Sequence, residues 1–375
     1  MLSYWEQQSF LHYDHIIVGS GIVGLNTAIE LKQRFPAQRV LVLERSLFPY
    51  GASTRNAGFA CMGSPTELLD DLEHMSREQT LALFQRRAAG LGLLRKRLGD
   101  GPIGYRERGS HELIAPEEIA VLDHLAELND LLAATTGKPA FRVANERIVT
   151  FGFPPGKVAA LVEATCEGEL HTGNMMRALI DHALRSGIEI KTGATVQHFE
   201  AATKEVRVKV ADTLRPEGID LRCAQLLICT NAFTPQLLPG VDVQPGRGQV
   251  LITEPLEVPF RGVFHFDKGY YYFREIDNRV LFGGGRNLDF AGETTTDIAL
   301  QDRIQQDLED KLRNLLLPGS TVAVDQRWSG IMAFGKDKQP IVQSFGDRVH
   351  GAFRMGGMGV ALGASVAQEL AGLVS

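Results

Sequence analysis

Several large protein classes are closed to this chain by what it lacks. It has four cysteines, Cys61, Cys166, Cys223 and Cys229, with no C-x-x-C pair among them. That argues against a disulfide framework or a thiolate metal site. Its ten histidines show no H-E-x-x-H or comparable zinc spacing, so no metal is expected. Basic residues are in deficit, 39 Lys and Arg against 45 Asp and Glu, for a net charge of -6. They are also dispersed, and the electrostatic footprint of a nucleic-acid binder is missing. No uninterrupted apolar run is long enough to span a bilayer. The stretch from Met355 to Val374 comes nearest, but it holds five glycines and is broken by Gln368 and Glu369, which suits a buried loop and helix. The segment Met1–Tyr13 has no basic n-region and is not expected to be a signal peptide. Repeats and low-complexity tracts are lacking too. Hydrophobic content of 44% and charged content of 22% over 375 residues fit a globular, cytoplasmic protein of one large domain or two intimate ones.

What is present is organised around Tyr13 to Glu44. Asp14-His15-Ile16-Ile17-Val18 reads as a strand, and Gly19-Ser20-Gly21-Ile22-Val23-Gly24 follows at once. Leu25, Ala28, Ile29 and Leu31 supply the apolar face of a helix ending near Pro36, and Arg39–Leu43 is a second strand closed by Glu44. This is the setting in which G-x-G-x-x-G binds a dinucleotide. Gly19 permits a tight turn, Gly21 lets a pyrophosphate approach the backbone, and Gly24 lets helix and strand pack closely. The helix N-terminus offers free N–H groups to the phosphates. Glu44, twenty residues after Gly24, is placed to bond a ribose hydroxyl.

The rest of the chain alternates between two characters. Thr66–Leu98 reads as a helix begun by Pro65, Tyr105–Ile114 as a strand, Pro116–Ala134 as a helix and Arg147–Phe153 as extended, ended by Pro154-Pro155-Gly156. Gly173–Ser186 is helical. Ile188–Lys191 is a strand, Val196–Val210 alternates, and Leu226–Cys229 is a buried strand ending in Thr230-Asn231-Ala232. Val250–Thr253, Tyr270–Arg274 and Arg279–Phe282 suggest a second sheet, and Asp297–Leu317 a long amphipathic helix. Trp328–Ala333, Pro340–Val342 and the closing glycine loop and helix complete it.

In their fixed order these pieces resemble the D-amino-acid oxidase, glycine oxidase and sarcosine oxidase superfamily of FAD enzymes (the DAO family), including γ-glutamylputrescine oxidase-like members. The resemblance runs nearly end to end. It rests on the glycine fingerprint with Glu44, Ser53-x-x-Asn56-Ala57-Gly58, Leu226–Ala232, Arg247-Gly248-Gln249 and Tyr270-Tyr271-Tyr272-Phe273-Arg274. It continues through Gly283-Gly284-Gly285, Trp328-Ser329-Gly330 and Gly356-Gly357-Met358-Gly359-Val360. It implies an α/β (α+β) fold of the glutathione-reductase type. A Rossmann-like FAD-binding domain is expected from residues 1–95, 150–237 and 325–375. A second domain with a mainly antiparallel sheet is expected from 96–149 and 238–324.

The resemblance also implies FAD contacts from Gly19, Gly21, Ile22, Val23, Gly24, Glu44 and Arg45. It implies further contacts from Ser53, Thr54, Arg55, Asn56, Ala57 and Gly58 beside the pyrophosphate and flavin, and from Val196 at the adenine. Thr230 and Asn231 belong near the ADP part, Gly248 and Gly330 elsewhere along the cofactor. Met355, Gly356, Gly357, Met358, Gly359, Val360 and Ala361 belong at the flavin's pyrimidine end. Arg354 enters that loop and could add charge there, or form a surface ion pair.

Two departures stand out. Amino-acid oxidases of this group often carry Gly-Leu-Arg-Pro after the tryptophan, with the arginine clamping the substrate carboxylate. Here the segment is Gly330-Ile331-Met332-Ala333, so Met332 takes the arginine position. The covalent-flavin cysteine of sarcosine oxidase has no counterpart, and FAD is expected to be non-covalent. The aromatic strand is the best substrate wall, since alternation puts Tyr270, Tyr272 and Arg274 on one face. Tyr270, Tyr272, Arg274 and Met332 are therefore the candidate substrate residues, with Arg274 the candidate replacement anchor. His265 and His171 read as structural hydrogen-bonding groups.

The expected reaction is oxidation of the C–N bond of an amine or amino acid, with oxygen or another electron acceptor. One alternative is a 2-hydroxy acid dehydrogenase, since Ser53–Gly58 also resembles 2-hydroxyglutarate dehydrogenase-like proteins. The other is a non-catalytic scaffold.

Overall fold

A computed structural model describes residues 1–154 and 156–374. Two eight-stranded sheets dominate it. The first runs in the order Ile341–Ser344, Val349–Phe353, Ile219–Ile228, His12–Val18, Val40–Leu43 and Glu189–Lys191, with the strands Val206–Val210 and Val196–Ala201 added antiparallel at the start of Ile219–Ile228. The pairs among its four central strands are parallel, and these strands are apolar on both faces, as a sheet covered by helices requires. The helices Ile22–Arg34, Arg77–Leu98 and Gly359–Gly372 pack together over one face. Small residues let them approach. A Cβ on Gly90 would lie 2.1 Å from the Ala361 carbonyl, and one on Gly363 would lie 2.5 Å from Ile22 Cγ2.

The second sheet runs Val324–Phe334, Gln244–Thr253, Arg279–Gly284, Tyr271–Ile276, Val263–Phe266, Ser110–Ile114, Ala160–Ala164 and Phe141–Val143. Its pairs are antiparallel except Val263–Phe266 with Ser110–Ile114. One face carries an aromatic core in which Phe264 and Phe273 stack at 4.7 Å, with Phe153, Phe260, Phe266, Tyr271 and Phe282 around them. Aromatics suit the pleat because their flat rings fill the space between alternate positions.

The structure corrects several sequence expectations. Chain position groups Ala160–Ala164 and Val324–Phe334 with the FAD-binding pieces, yet both pair within the second sheet. Their apolar alternation carries no information about which sheet they join. The segment Thr66–Leu98 is two helices, Pro65–His74 and Arg77–Leu98, divided where Ser76 begins a new capping box with Gln79. Such a cap satisfies the first N–H groups of a fresh helix. Arg147–Phe153 is not extended. Glu146–Thr150 is a short helix, and Phe151 and Phe153 turn into the aromatic core, so tertiary packing overrides the local β-branched preference. The helix expected over Asp297–Leu317 begins only at Asp302 and ends in a wider turn, Leu312–Leu316. Of the expected proline stop, Pro155 lies outside the described residues.

Candidate active site

Between the sheets lies an elongated cavity of about 1020 Å³. Its first end is built from backbone. Val18 leads into Gly19, whose φ of +104° only glycine holds without strain, and a Cβ there would meet the Cys229 carbonyl at 2.7 Å. A Cβ on Gly21 would reach Ser53 Oγ at 2.8 Å, because that hydroxyl accepts a hydrogen bond from the Ile22 N–H. Ser53 thus ties the second loop to the helix start. Glu44 is buried at the strand end. One carboxylate oxygen accepts from the Ser20 N–H and hydroxyl at 3.2 and 2.8 Å, the other from the Ser46 N–H at 3.1 Å. The oxygen bonded to Ser46 keeps a lone pair for a further donor.

Two asparagines hold the middle. Asn56 Oδ1 accepts from the Gly58 N–H and the Thr172 hydroxyl, while its Nδ2 donates to the Ala52 and Ser53 carbonyls. Asn231, at φ +46°, accepts from the Arg354 and Met355 N–H groups. It joins the strand-end turn to the closing glycine loop.

The other end is built from side chains of the second sheet. A Cβ on Gly248 would lie 2.9 Å from the Met332 methyl and 3.9 Å from the Tyr272 hydroxyl. A Cβ on Gly357 would lie 3.6 Å from Met332 Sδ, so Met332 sits between the closing loop and Tyr272. Tyr272 lies over Gly283, where any side chain would strike the ring. Burial raises the Tyr272 pKa to about 12 and keeps the phenol neutral. Tyr270 lines the same wall, edge-on to Phe290.

Most of the residues singled out from sequence line this cavity. They are Gly19, Gly21, Ile22, Val23, Glu44, Arg45, Ser53, Arg55, Asn56, Ala57, Val196, Thr230, Asn231, Gly248, Gly330 and the run Met355–Ala361, together with Tyr270, Tyr272 and Met332. Gly24, Thr54, Gly58 and Arg274 do not. Gly24 serves packing, since a Cβ there would stand 1.9 Å from the Gly19 carbonyl. Thr54 is exposed and donates to the Pro49 carbonyl. Gly58 takes φ +76° under the Leu170 carbonyl.

Arg274 is the substantive correction. Its side chain turns away from the cavity and is only 5% exposed. It donates to the Leu170, Gly58 and Ala57 carbonyls at 2.8, 3.2 and 3.4 Å and pairs with Glu169 at 3.4 Å. Alternation put it on the right face, but that face extends past the cavity's edge. Arg354 is likewise committed, to Asp242, Asp337 and the Gln339 carbonyl.

The matching family model describes FAD dependent oxidoreductases (DAO) and spans residues 14–373. The chain belongs to the DAO family. This DAO-family chain is 22% identical over 367 residues to the probable oxidoreductase OrdL of Haemophilus influenzae, covering 94% of this chain and 80% of that one. Among solved structures it is similar to L-proline dehydrogenase from P. horikoshii (TM-score 0.78, 16% identity, 97% and 93% of the two chains). It is also similar to glycine oxidase from Geobacillus kaustophilus (TM-score 0.77, 20% identity, 97% and 96%). At these identities the likeness of structure shows the fold. Family membership makes the chain an FAD-dependent oxidoreductase, and the glycine cradle, Glu44 and the long cavity fit that cofactor.

Sequence reasoning missed Arg286 in the DAO-family cavity and gave His265 only a structural part. Arg286, directly after the Gly283-Gly284-Gly285 run, lines it between Phe290 and Phe334. His265 lines it with Nε2 buried and without a partner among the described residues, edge-on to Phe59 at 5.0 Å. His171, by contrast, caps the helix Thr172–Arg185 by accepting from the Asn174 N–H. Cys61, Glu167 and His265 bring potential ligand atoms within 4.8 Å of one another. Glu167 is already engaged by the Met62 and Gly63 N–H groups and the Ser110 hydroxyl. Burial, then Glu167, pushes the Cys61 pKa well up and keeps a neutral thiol. No helix among the described residues is long and apolar enough to cross a membrane.

Proposed function

We propose that this flavoenzyme oxidises the C–N bond of an amine or amino acid. FAD, held at Gly19, Gly21, Glu44 and the Met355–Ala361 loop, would supply the two-electron acceptor for the hydride that leaves the carbon bearing nitrogen. The substrate nitrogen releases a proton to water, the resulting imine adds water, and a carbonyl compound and a free amine leave. The electrons pass on to oxygen or another acceptor.

One observation carries the reading. A single cavity runs from the dinucleotide cradle to a wall of Tyr270, Tyr272 and Met332, none of them a general base, with His265 beside it. Oxidation of a neutral amine needs none, because the nitrogen lone pair assists hydride loss. The protein's part is to orient the substrate and exclude water. The Met355–Ala361 loop lines the cavity and leads into the helix Gly359–Gly372, whose first-turn N–H groups have no intrahelical partner and suit the negative charge that a flavin gains on reduction.

The neutral, buried Cys61 supports non-covalent FAD, since only a thiolate attacks readily. We further propose a division along the two sheets into an FAD-binding and a substrate-binding domain. A cytoplasmic location is consistent with four unpaired cysteines. The names of glycine oxidase and L-proline dehydrogenase agree with a nitrogen-bearing substrate.

The test is anaerobic mixing of the yellow holoenzyme with panels of amines, amino acids and 2-hydroxy acids. Bleaching by members of the first two panels is expected. Bleaching by hydroxy acids alone would replace this reading with C–O oxidation, and purification without flavin would leave only the scaffold reading.

A further inference from the structure

The cations around the cavity differ in how far they are already committed. Arg55 donates to the Ser329 carbonyl at 2.6 Å and Arg87 to the Met62 carbonyl at 2.7 Å. Lys338 pairs with Asp70 and Asp71. Arg45 is exposed and lies over the Phe233 ring at 3.7 Å, and Lys268 and Lys336 are exposed and solvated. Arg286 is different. It is half-buried, and its Nε is fully enclosed without a partner among the described residues. Its guanidinium lies 4.1 Å from the Phe334 ring centroid and 5.0 Å from that of Phe290. The nearby carboxylate of Glu293 is consumed by a two-pronged pair with Arg247, at 2.6 and 3.0 Å, and by Gln249 at 3.0 Å.

A half-buried guanidinium held by ring faces, with its Nε enclosed and unpaired among the described residues, is incompletely satisfied, and a planar anion is the partner its fork geometry fits. Its position is also informative. A Cβ on Gly246 would lie 2.9 Å from Arg286 Nε, whereas one on Gly248 would meet Met332 and Tyr272. Gly246 and Gly248 are alternate residues of one strand, on the same face. Two residues along a strand span about 7 Å. The free cation therefore stands one such step from the Tyr272–Met332 wall.

We infer that Arg286 anchors a substrate carboxylate, and that it selects amines whose carboxylate is separated from the oxidised carbon by two or more further carbons. This rests on the C–N reading above, with the oxidised carbon beside Tyr272 and Met332. An α-amino acid is too short to reach both places. A chain such as that of 4-aminobutyrate spans the step, and its methylenes lie along the apolar Met332 side.

The experiment uses the holoenzyme and has two readouts. In the first, butyrate, which has the carboxylate but no oxidisable nitrogen, is titrated while the flavin absorption spectrum is followed. Arg286→Met should weaken butyrate at least tenfold, and Arg286→Lys should recover part of the loss. In the second, kcat/KM for 4-aminobutyrate should fall at least tenfold in Arg286→Met, while n-butylamine changes less than twofold. Wild-type enzyme should prefer 4-aminobutyrate to glycine. The melting temperature of Arg286→Met should not fall, because methionine still fills the space between Phe334 and Phe290 and the change removes a partly buried cation that has no hydrogen-bond partner among the described residues. A structural role would lower it. Equal butyrate affinity in wild type and Arg286→Met, no butyrate binding in wild type, or a larger loss in the rim variant Lys336→Ala each overturns the anchor. If amines fail to reduce the flavin but butyrate binding depends on Arg286, the C–N reading fails and the anchor stands.

Discussion

The two ends of the cavity are made differently. At the dinucleotide end the contacts come from backbone and from the absence of side chains: Gly19, Gly21 and the start of the helix Ile22–Arg34, steadied by Ser53 and Glu44. At the substrate end they come from side chains on four strands or strand ends, namely Tyr272, Met332, His265 and Arg286. Local spacing encodes the first kind of site. The second kind depends on which face of which strand meets the cavity and where the cavity stops. Arg274 and Arg286 make the point. Twelve residues apart on neighbouring parts of one sheet, the first is sealed among carbonyls and the second is left open.

The largest expected effect lies at the backbone end. Gly21→Val should abolish FAD binding, because its side chain would enter the space beside Ser53 where the cofactor must pass. Acid-released flavin should drop to background while circular dichroism stays native. Normal flavin content would break the comparison outright.

Arg274→Leu should cost stability, not specificity. It removes donors from three carbonyls and the partner of buried Glu169, leaving Arg108 at 3.4 Å as partial compensation. A loss of about 3 kcal/mol is expected from denaturant unfolding. A variant that unfolds like wild type but loses affinity for carboxylates would return Arg274 to the site.

Acid should attack the second sheet first. Burial, only partly opposed by Glu163, lowers the His111 pKa from 6.5 to about 4, where it stacks on Phe264 at 4.9 Å. The unfolded chain takes up this proton at about pH 6.5 and the folded one resists it. The contribution is therefore complete above pH 6.5 and lost as pH falls through 4, on the order of 3 kcal/mol in all. Unfolding midpoints from pH 7 to 4 should fall less steeply in His111→Phe, and parallel slopes would dismiss the assignment.

Glu44→Ala should lower FAD affinity by roughly 10- to 100-fold, equivalent to about 1.5–3 kcal/mol for a charge-assisted hydrogen bond. Apoenzyme titrated with FAD reads it directly. An unchanged affinity would mean that Glu44 serves only to hold Ser20 and Ser46. Smallest of all, Thr54→Ala should leave FAD affinity within about 0.5 kcal/mol of wild type, since that hydroxyl is exposed and turned to the Pro49 carbonyl.

The sequence alone determined the dinucleotide cradle, the existence of a second sheet and the run of small residues that closes the cavity. These are legible because each demand is local. A positive φ, a close backbone approach or a carboxylate at a strand end is met by one residue type at one spacing. Only the tertiary structure decided that Ala160–Ala164 and Val324–Phe334 join the second sheet, and that Glu146–Thr150 coils so that Phe151 and Phe153 can reach the aromatic core. It alone separated Arg274 from Arg286. Strand alternation fixes a side chain's face but not its neighbours, and whether a cation is spent or free depends on carbonyls and carboxylates brought to it from distant parts of the chain.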